Sequence, residues 1–188
     1  MDAVWPAGRL TLRPSGHGQK YGVEVTDAGS ATLATCTADG TITDGSGGLL
    51  FNAPLRWEGR ADKPTDALVE VADAAGSPLG TARVTKYGVG PRAKKATIEV
   101  TDSHGAPVLR LEPRDKRGQE LVLTAGDTEV AAVAVEEVKA GFLRKARVYT
   151  VETGNAAPEP LRPLALATLI RYDALLNAVV SAAAHDRD

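Results

Sequence analysis

The stretch LALATLIRYDALLNAVVSAAA, residues 164–184, decides the fold. Leu and Ala, both strong helix formers, dominate it. Pro163 stands just ahead, where proline is tolerated in the first turn of a helix. At 100° per residue the polar positions Thr168, Arg171, Asp173, Asn177 and Ser181 scatter round the helix axis instead of gathering on one face. A helix that is apolar nearly all round must be buried nearly all round. A bilayer is not the expected surrounding, because Arg162, Pro163, Arg171 and Asp173 interrupt the run, and its charge-free part, Ala174 to Ala184, is shorter than the roughly 20 residues of a span. The interior of its own domain is.

Upstream of this helix the hydrophobic period is two. Arg9 to Arg13, Tyr21 to Thr26, Leu68 to Ala72, Thr97 to Thr101, Pro107 to Glu112 and Arg147 to Glu152 alternate apolar and polar residues, the mark of half-buried strands. Ala31 to Thr37, Thr41 to Thr43, Leu49 to Trp57, Gly80 to Lys86, Glu120 to Thr124 and Glu129 to Glu136 complete the set. No helical crossover separates them, which excludes a parallel sheet. Three segments share one pattern: Val23-Glu24-Val25-Thr26-Asp27-Ala28-Gly29, Val69-Glu70-Val71-Ala72-Asp73-Ala74-Ala75-Gly76 and Ile98-Glu99-Val100-Thr101-Asp102-Ser103-His104-Gly105. Each reads as a strand entering a hairpin, with valine inward, Glu outward, Asp accepting turn amides and Gly supplying positive φ. Calcium sites at these aspartates are disfavoured, since one carboxylate per turn is far from the oxygen set a calcium loop provides.

The expected architecture is therefore a mainly β single domain over residues 1–188. About twelve antiparallel strands (residues 9–152) form a barrel, a proline-rich connector follows (about 153–162), and a hydrophobic C-terminal helix (about 163–184) is enclosed by the barrel. Counting back from Ala184 puts Arg171 and Asp173 near one barrel mouth, in reach of water, with Ala174 to Ala184 filling the interior and Leu175, Leu176, Val179 and Val180 in the core.

The repeated Val-x-Asp-x-Gly hairpins, followed by Leu164-Ala165-Leu166-Ala167-Thr168-Leu169-Ile170-Arg171-Tyr172-Asp173-Ala174-Leu175-Leu176, resemble the tubby C-terminal-like superfamily, in particular its LURP-one-related and phospholipid-scramblase-like branch. The resemblance covers nearly the whole chain. It implies a twelve-stranded barrel round a hydrophobic C-terminal helix, and an association with phosphoinositides, lipids or membranes. The chain departs from the scramblase pattern in lacking a cysteine-rich stretch and an acidic calcium-binding segment before the helix, which speaks against lipid scrambling.

Composition narrows the function further. With 188 residues, 43% hydrophobic and 24% charged, the chain is long enough for a sizeable core, and its net charge of -2 gives no overall field for a polyanion, so nucleic acid is not an expected partner. The single cysteine, Cys36, excludes an internal disulfide and a cysteine-rich metal site. Met1 to Pro6 carries no secretory pattern, so a cytoplasmic location is expected. His17, His104 and His185 lack metal-ligand spacing, and neither Gly45-Ser46-Gly47-Gly48 nor Gly88-Val89-Gly90 is followed by Lys-Ser/Thr or opens a helix, as a phosphate loop would. No metal, cofactor or catalytic residue is expected.

One feature points to a function. Residues 1–82 hold 6 basic and 10 acidic side chains, residues 83–147 hold 13 and 9, and residues 148–188 hold 3 and 5. The basic middle concentrates in three segments: Arg92, Lys94 and Lys95; Arg114, Lys116 and Arg117; Arg144 and Lys145, with Arg147 on the last strand. If these loops share one barrel rim they form an anion-binding edge; the plainer reading, that the charges keep the loops soluble, has the greater weight from sequence alone. The expectation is a non-enzymatic binding or scaffold module, peripheral to a membrane, that recognises anionic phospholipid headgroups or a protein partner. The alternative is an enzyme whose pocket leaves no mark in the sequence.

Overall fold

In the strand Gly8–Ser15 (β1), Leu10 and Leu12 are buried and their neighbours Arg9 and Arg13 are exposed, and this alternation repeats from strand to strand. The computed structural model describes residues 8–15, 22–58, 63–90, 93–139, 145–153 and 157–185. After β1 come β2 (Gly22–Asp27), β3 (Thr32–Cys36), β4 (Thr41–Asp44), β5 (Leu49–Asn52), β6 (Leu55–Trp57), β7 (Ala67–Asp73), β8 (Pro78–Gly90), β9 (Ala93–Asp102), β10 (Pro107–Pro113), β11 (Glu120–Ala125), β12 (Thr128–Lys139) and β13 (Lys145–Thr153). A 3-10 turn at Glu159–Leu161 leads into the helix α1 (Arg162–His185).

All pairings are antiparallel. The order runs β5-β4-β3-β2-β1-β13-β12-β11-β10-β9-β8-β7, and β7 returns to β5 through Phe51↔Asp73 and Asn52↔Ala72. This last pairing closes a twelve-stranded barrel, because β5 and β6 are two halves of one strand laid along β7. The sequence reads Leu49 to Trp57 as continuous, but Pro54 has no N–H to give a ladder. There the Ala53 N–H turns instead to the Gly40 carbonyl (2.7 Å), and the Pro54 carbonyl accepts the Glu70 N–H (3.2 Å). Gly40 has φ +98°, and a Cβ on it would lie 2.4 Å from the Ala53 oxygen, so no other residue fits this close approach.

The aspartate hairpins form as the repeat suggests. Asp73 Oδ1 accepts the N–H groups of Ala75 (2.9 Å) and Ser77 (2.8 Å), and Asp102 Oδ1 those of His104 and Ala106 (both 2.9 Å). Gly76 and Gly105 supply positive φ. Asp44 makes the same turn with Ser46 (2.8 Å) and Gly48 (2.9 Å), a fourth copy. In the first copy the left-handed position falls to Ser30 (φ 67°), not Gly29.

The meander brings five aspartate hairpins to one end. The turns β2–β3, β4–β5, β7–β8, β9–β10 and β11–β12 lie at one end of the barrel and carry Asp27, Asp44, Asp73, Asp102 and Asp127. Chain direction requires β8–β9, β10–β11 and β12–β13 to turn at the other end, together with β3–β4, so Asp115 and Asp39 lie at that end.

Helix α1 fills the barrel, packing mainly on β7, β8 and β9. Leu164, Ala165, Leu166, Ala167, Leu169, Tyr172, Leu175, Leu176 and Val179 are at most 3% exposed. By length and mean hydropathy (1.4) the segment Glu159–Ala182 could cross a membrane, but 67% of its apolar window is covered by the protein itself. The part of the helix that is most enclosed is not the one counted back from Ala184. Strand β13 ends at the aspartate end, so the short connector starts α1 there, with Leu164 Cδ2 against Gly80, 3.1 Å from where a Cβ would stand. The most enclosed part is therefore Leu164 to Tyr172. Arg171 lies inside, 7% exposed, and Val180 is half-buried while Asn177 and Ser181 are exposed.

Candidate functional site

The end opposite the aspartate turns holds both features that could bind a ligand. On its outer side two ribbons outrun the rest of the sheet. Strands β8 and β9 pair from Gly80↔Asp102 to Gly90↔Ala93, whereas β7 reaches only Arg83 and β10 only Ile98. Strands β12 and β13 pair to Lys139↔Lys145, whereas β1 stops at Tyr149 and the β11 ladder stops at Ala134. Lys94 stands opposite Val89 near the end of the first ribbon, and the Lys95 stem lies over Gly88, where a Cβ would come within 3.2 Å of its Cε. Lys145 stands at the end of the second ribbon. Arg92 and Arg144 lie outside the described residues.

Two large side chains are exposed on these ribbons, Tyr87 (44%) and Val138 (37%). Between the ribbons, the β10–β11 turn is built on Asp115, whose carboxylate accepts the N–H groups of Arg117 (3.0 Å), Gln119 (2.8 Å) and Glu120 (3.0 Å). Lys116 and Arg117 are exposed there. Arg114 is not directed to the rim: its guanidinium is ion-paired with Glu129 of β12 along the outer wall.

The second feature lies inside the same end. A cavity of about 490 Å³ separates α1 from β2, β3 and β6. It exists because the helix leans on β7 to β9 and because Ala174 and Ala178, three and seven residues beyond Arg171, present little volume towards the far wall. Arg171 forms part of its lining. Its Nη1 donates to the Ala38 carbonyl at 3.4 Å, while Nε is buried without a hydrogen-bond partner. No carboxylate among the described residues pairs with it.

The two acidic residues at the cavity are engaged elsewhere. Asp39 accepts the Thr37 hydroxyl and the Thr41 N–H (3.1 Å), and the Thr37 bond holds its carboxyl below the usual range. Asp173, only two residues from Arg171, projects from another face of the helix, where the Tyr149 hydroxyl donates to it and Arg147 Nη1 lies 3.6 Å away. Burial pushes the Tyr149 phenol well above its ordinary value, and the Asp173 charge adds to that. Cys36, beside the guanidinium, donates to the Thr37 carbonyl (3.3 Å), and burial raises its thiol despite the opposing pull of Arg171.

No protein-family model matches this chain, and no curated protein matches it. Function has to be argued from the chain's own geometry. Sequence reading missed the cavity, although its signal was present as one arginine in the middle of an apolar helix.

Proposed function

We propose that this protein is a non-enzymatic binding module that applies the basic end of its barrel to an anionic phospholipid surface, as its resemblance to the tubby-like superfamily implies. The observation that carries this reading is the segregation of charge by the meander. Five aspartate turns free of Lys and Arg gather at one end, while the β8–β9, β10–β11 and β12–β13 segments bearing Lys94, Lys95, Lys116, Arg117 and Lys145 leave at the other, where the carboxylates of Asp39 and Asp115 are occupied in accepting turn N–H groups. Basic groups near an anionic leaflet contribute about 1 kcal/mol each within a Debye length. Exposed Tyr87 and Val138 on the two long ribbons add an aromatic and an apolar contact, of which the tyrosine is a residue type that settles at a lipid interface.

Cosedimentation of the full chain with vesicles of neutral lipid, and of neutral lipid mixed with phosphatidylserine, tests this at two salt concentrations. Binding is expected only to the anionic vesicles, falling steeply with salt and lost in the Lys94→Glu/Lys95→Glu variant with its melting temperature kept. Equal binding to both vesicle types, or none at low salt, refutes it, and salt-sensitive binding to an acidic protein but not to vesicles would move the reading to a protein partner.

A further inference from the structure

A guanidinium removed from water is costly unless an anion and further hydrogen bonds compensate it. Arg171 is 7% exposed, holds one neutral acceptor at 3.4 Å, and leaves Nε with none. Its nearest acidic neighbours along the cavity are already committed, Asp39 to Thr37 and Thr41, and Asp173 to Tyr149 and Arg147. The charge thus faces a cavity of about 490 Å³ whose other walls include Val23, Leu55, Trp57 and Ile170. Thr37, Asp39, Asp173, Asn177 and Ser181 also line it, and Arg171 is the one cation of that lining, so the cavity pairs apolar walls with a few polar groups as small-molecule sites do.

We propose that this cavity binds a single-chain monocarboxylate, its carboxylate gripped by Arg171 and its apolar body laid between α1 and β2, β3 and β6. Nη1 is turned to Ala38 and Nε is sealed from the cavity, so Nη2, neither hydrogen-bonded among the described residues nor fully buried, is the nitrogen that donates to the ligand carboxylate. One positive charge selects one negative charge. A doubly charged phosphate would set a second negative charge near Asp39 and Asp173, which also line the cavity, so it is disfavoured. Size follows from volume: at about 30 Å³ for each water-sized group, the cavity accepts at most roughly 16 non-hydrogen atoms, an aliphatic acid of up to about fourteen carbons. The site uses none of the basic ribbons, and it stands or falls independently of membrane binding.

Titration with sodium decanoate below its micelle concentration, followed by calorimetry and by Trp57 fluorescence, tests the proposal, with decanol as the uncharged match and decyl phosphate as the dianion. Decanoate is expected to bind one to one, on the order of 100-fold more tightly than decanol, the size expected for a charge-assisted hydrogen-bonded pair. Arg171→Met should abolish that preference while keeping the melting temperature or raising it, because an uncompensated charge is removed. Ala178→Phe, which fills the cavity without touching the charge, should abolish decanoate binding too. In both variants salt-dependent vesicle binding should persist, which separates failure of this site from failure of the membrane reading. The proposal is overturned if decanoate does not bind, if decanol or decyl phosphate binds as well, or if either variant binds decanoate like the parent. A melting temperature lowered by Arg171→Met would make the guanidinium a structural clamp on Ala38 and overturn it equally.

Discussion

Replacing Tyr172 with Phe isolates one contact between helix and barrel. The β9–β10 ladder ends at Leu111↔Ile98, so the edge of Ala96 lies past the reach of β10. Tyr172 closes that edge: its hydroxyl accepts the Ala96 N–H at 3.2 Å and donates to the Ala96 carbonyl at 3.4 Å. Ala96 is 1% exposed, and water cannot take over. Phe keeps the ring, and with it the edge-to-face contact with Tyr149 at 6.1 Å and 81°, so the substitution removes only the hydroxyl. Two backbone groups are left in a dry interior, and leaving buried polar groups unsatisfied costs about 1–3 kcal/mol. For a chain of this size each kcal/mol shifts Tm by about 2–4 °C, so Tyr172→Phe should melt roughly 2–12 °C lower. Urea unfolding should show a lower midpoint with an unchanged slope, and native-state hydrogen exchange should show the Ala96 amide losing protection. A shift under about 0.5 kcal/mol with Ala96 still protected would refute the idea that the helix completes the β9 edge.

Two further outcomes follow from the same core. Val179→Asp buries an unpaired carboxylate at a 0% exposed position and should lose several kcal/mol, enough to leave most of the chain unfolded, whereas Val180→Asp, half-buried, should still fold; soluble yield and circular dichroism of the pair decide this. Stability should also fall at both extremes of pH. Asp44, through its Ser46 bonds, and Asp102, through the Ala106 N–H, have lowered folded-state values, so their contribution is complete above the unfolded carboxyl value of 3.8 and is lost as pH falls below it. Burial raises Tyr149 and Tyr172, so their contribution is complete below the unfolded phenol value of 10.0 and is lost as pH climbs through the folded values. Chemical denaturation across pH checks both limits, and Tyr149→Phe should weaken the alkaline dependence alone.

Much of this protein is legible in its sequence because the signals are local. Period-two runs mark the strands, an Asp with a Gly or its stand-in marks each hairpin, and the polar residues scattered round residues 164–184 mark a helix that must be enclosed. The basic segments were equally visible, since charge is a property of residues. Where they point was not. Their common end follows from counting strands through the meander, and the diversion of Arg114 to Glu129 depends on a neighbour fifteen residues away. The break at Pro54 needed the closure of β5 and β6 on β7 to become a corner. The Arg171 cavity lies furthest from sequence reading: it arises between one face of α1 and strands more than a hundred residues earlier, because the helix leans to the opposite wall. Local patterning decides what each segment is, since backbone period and turn chemistry act over a few residues. Which faces meet, and what space is left between them, is decided only when long-range pairing closes the barrel around its helix.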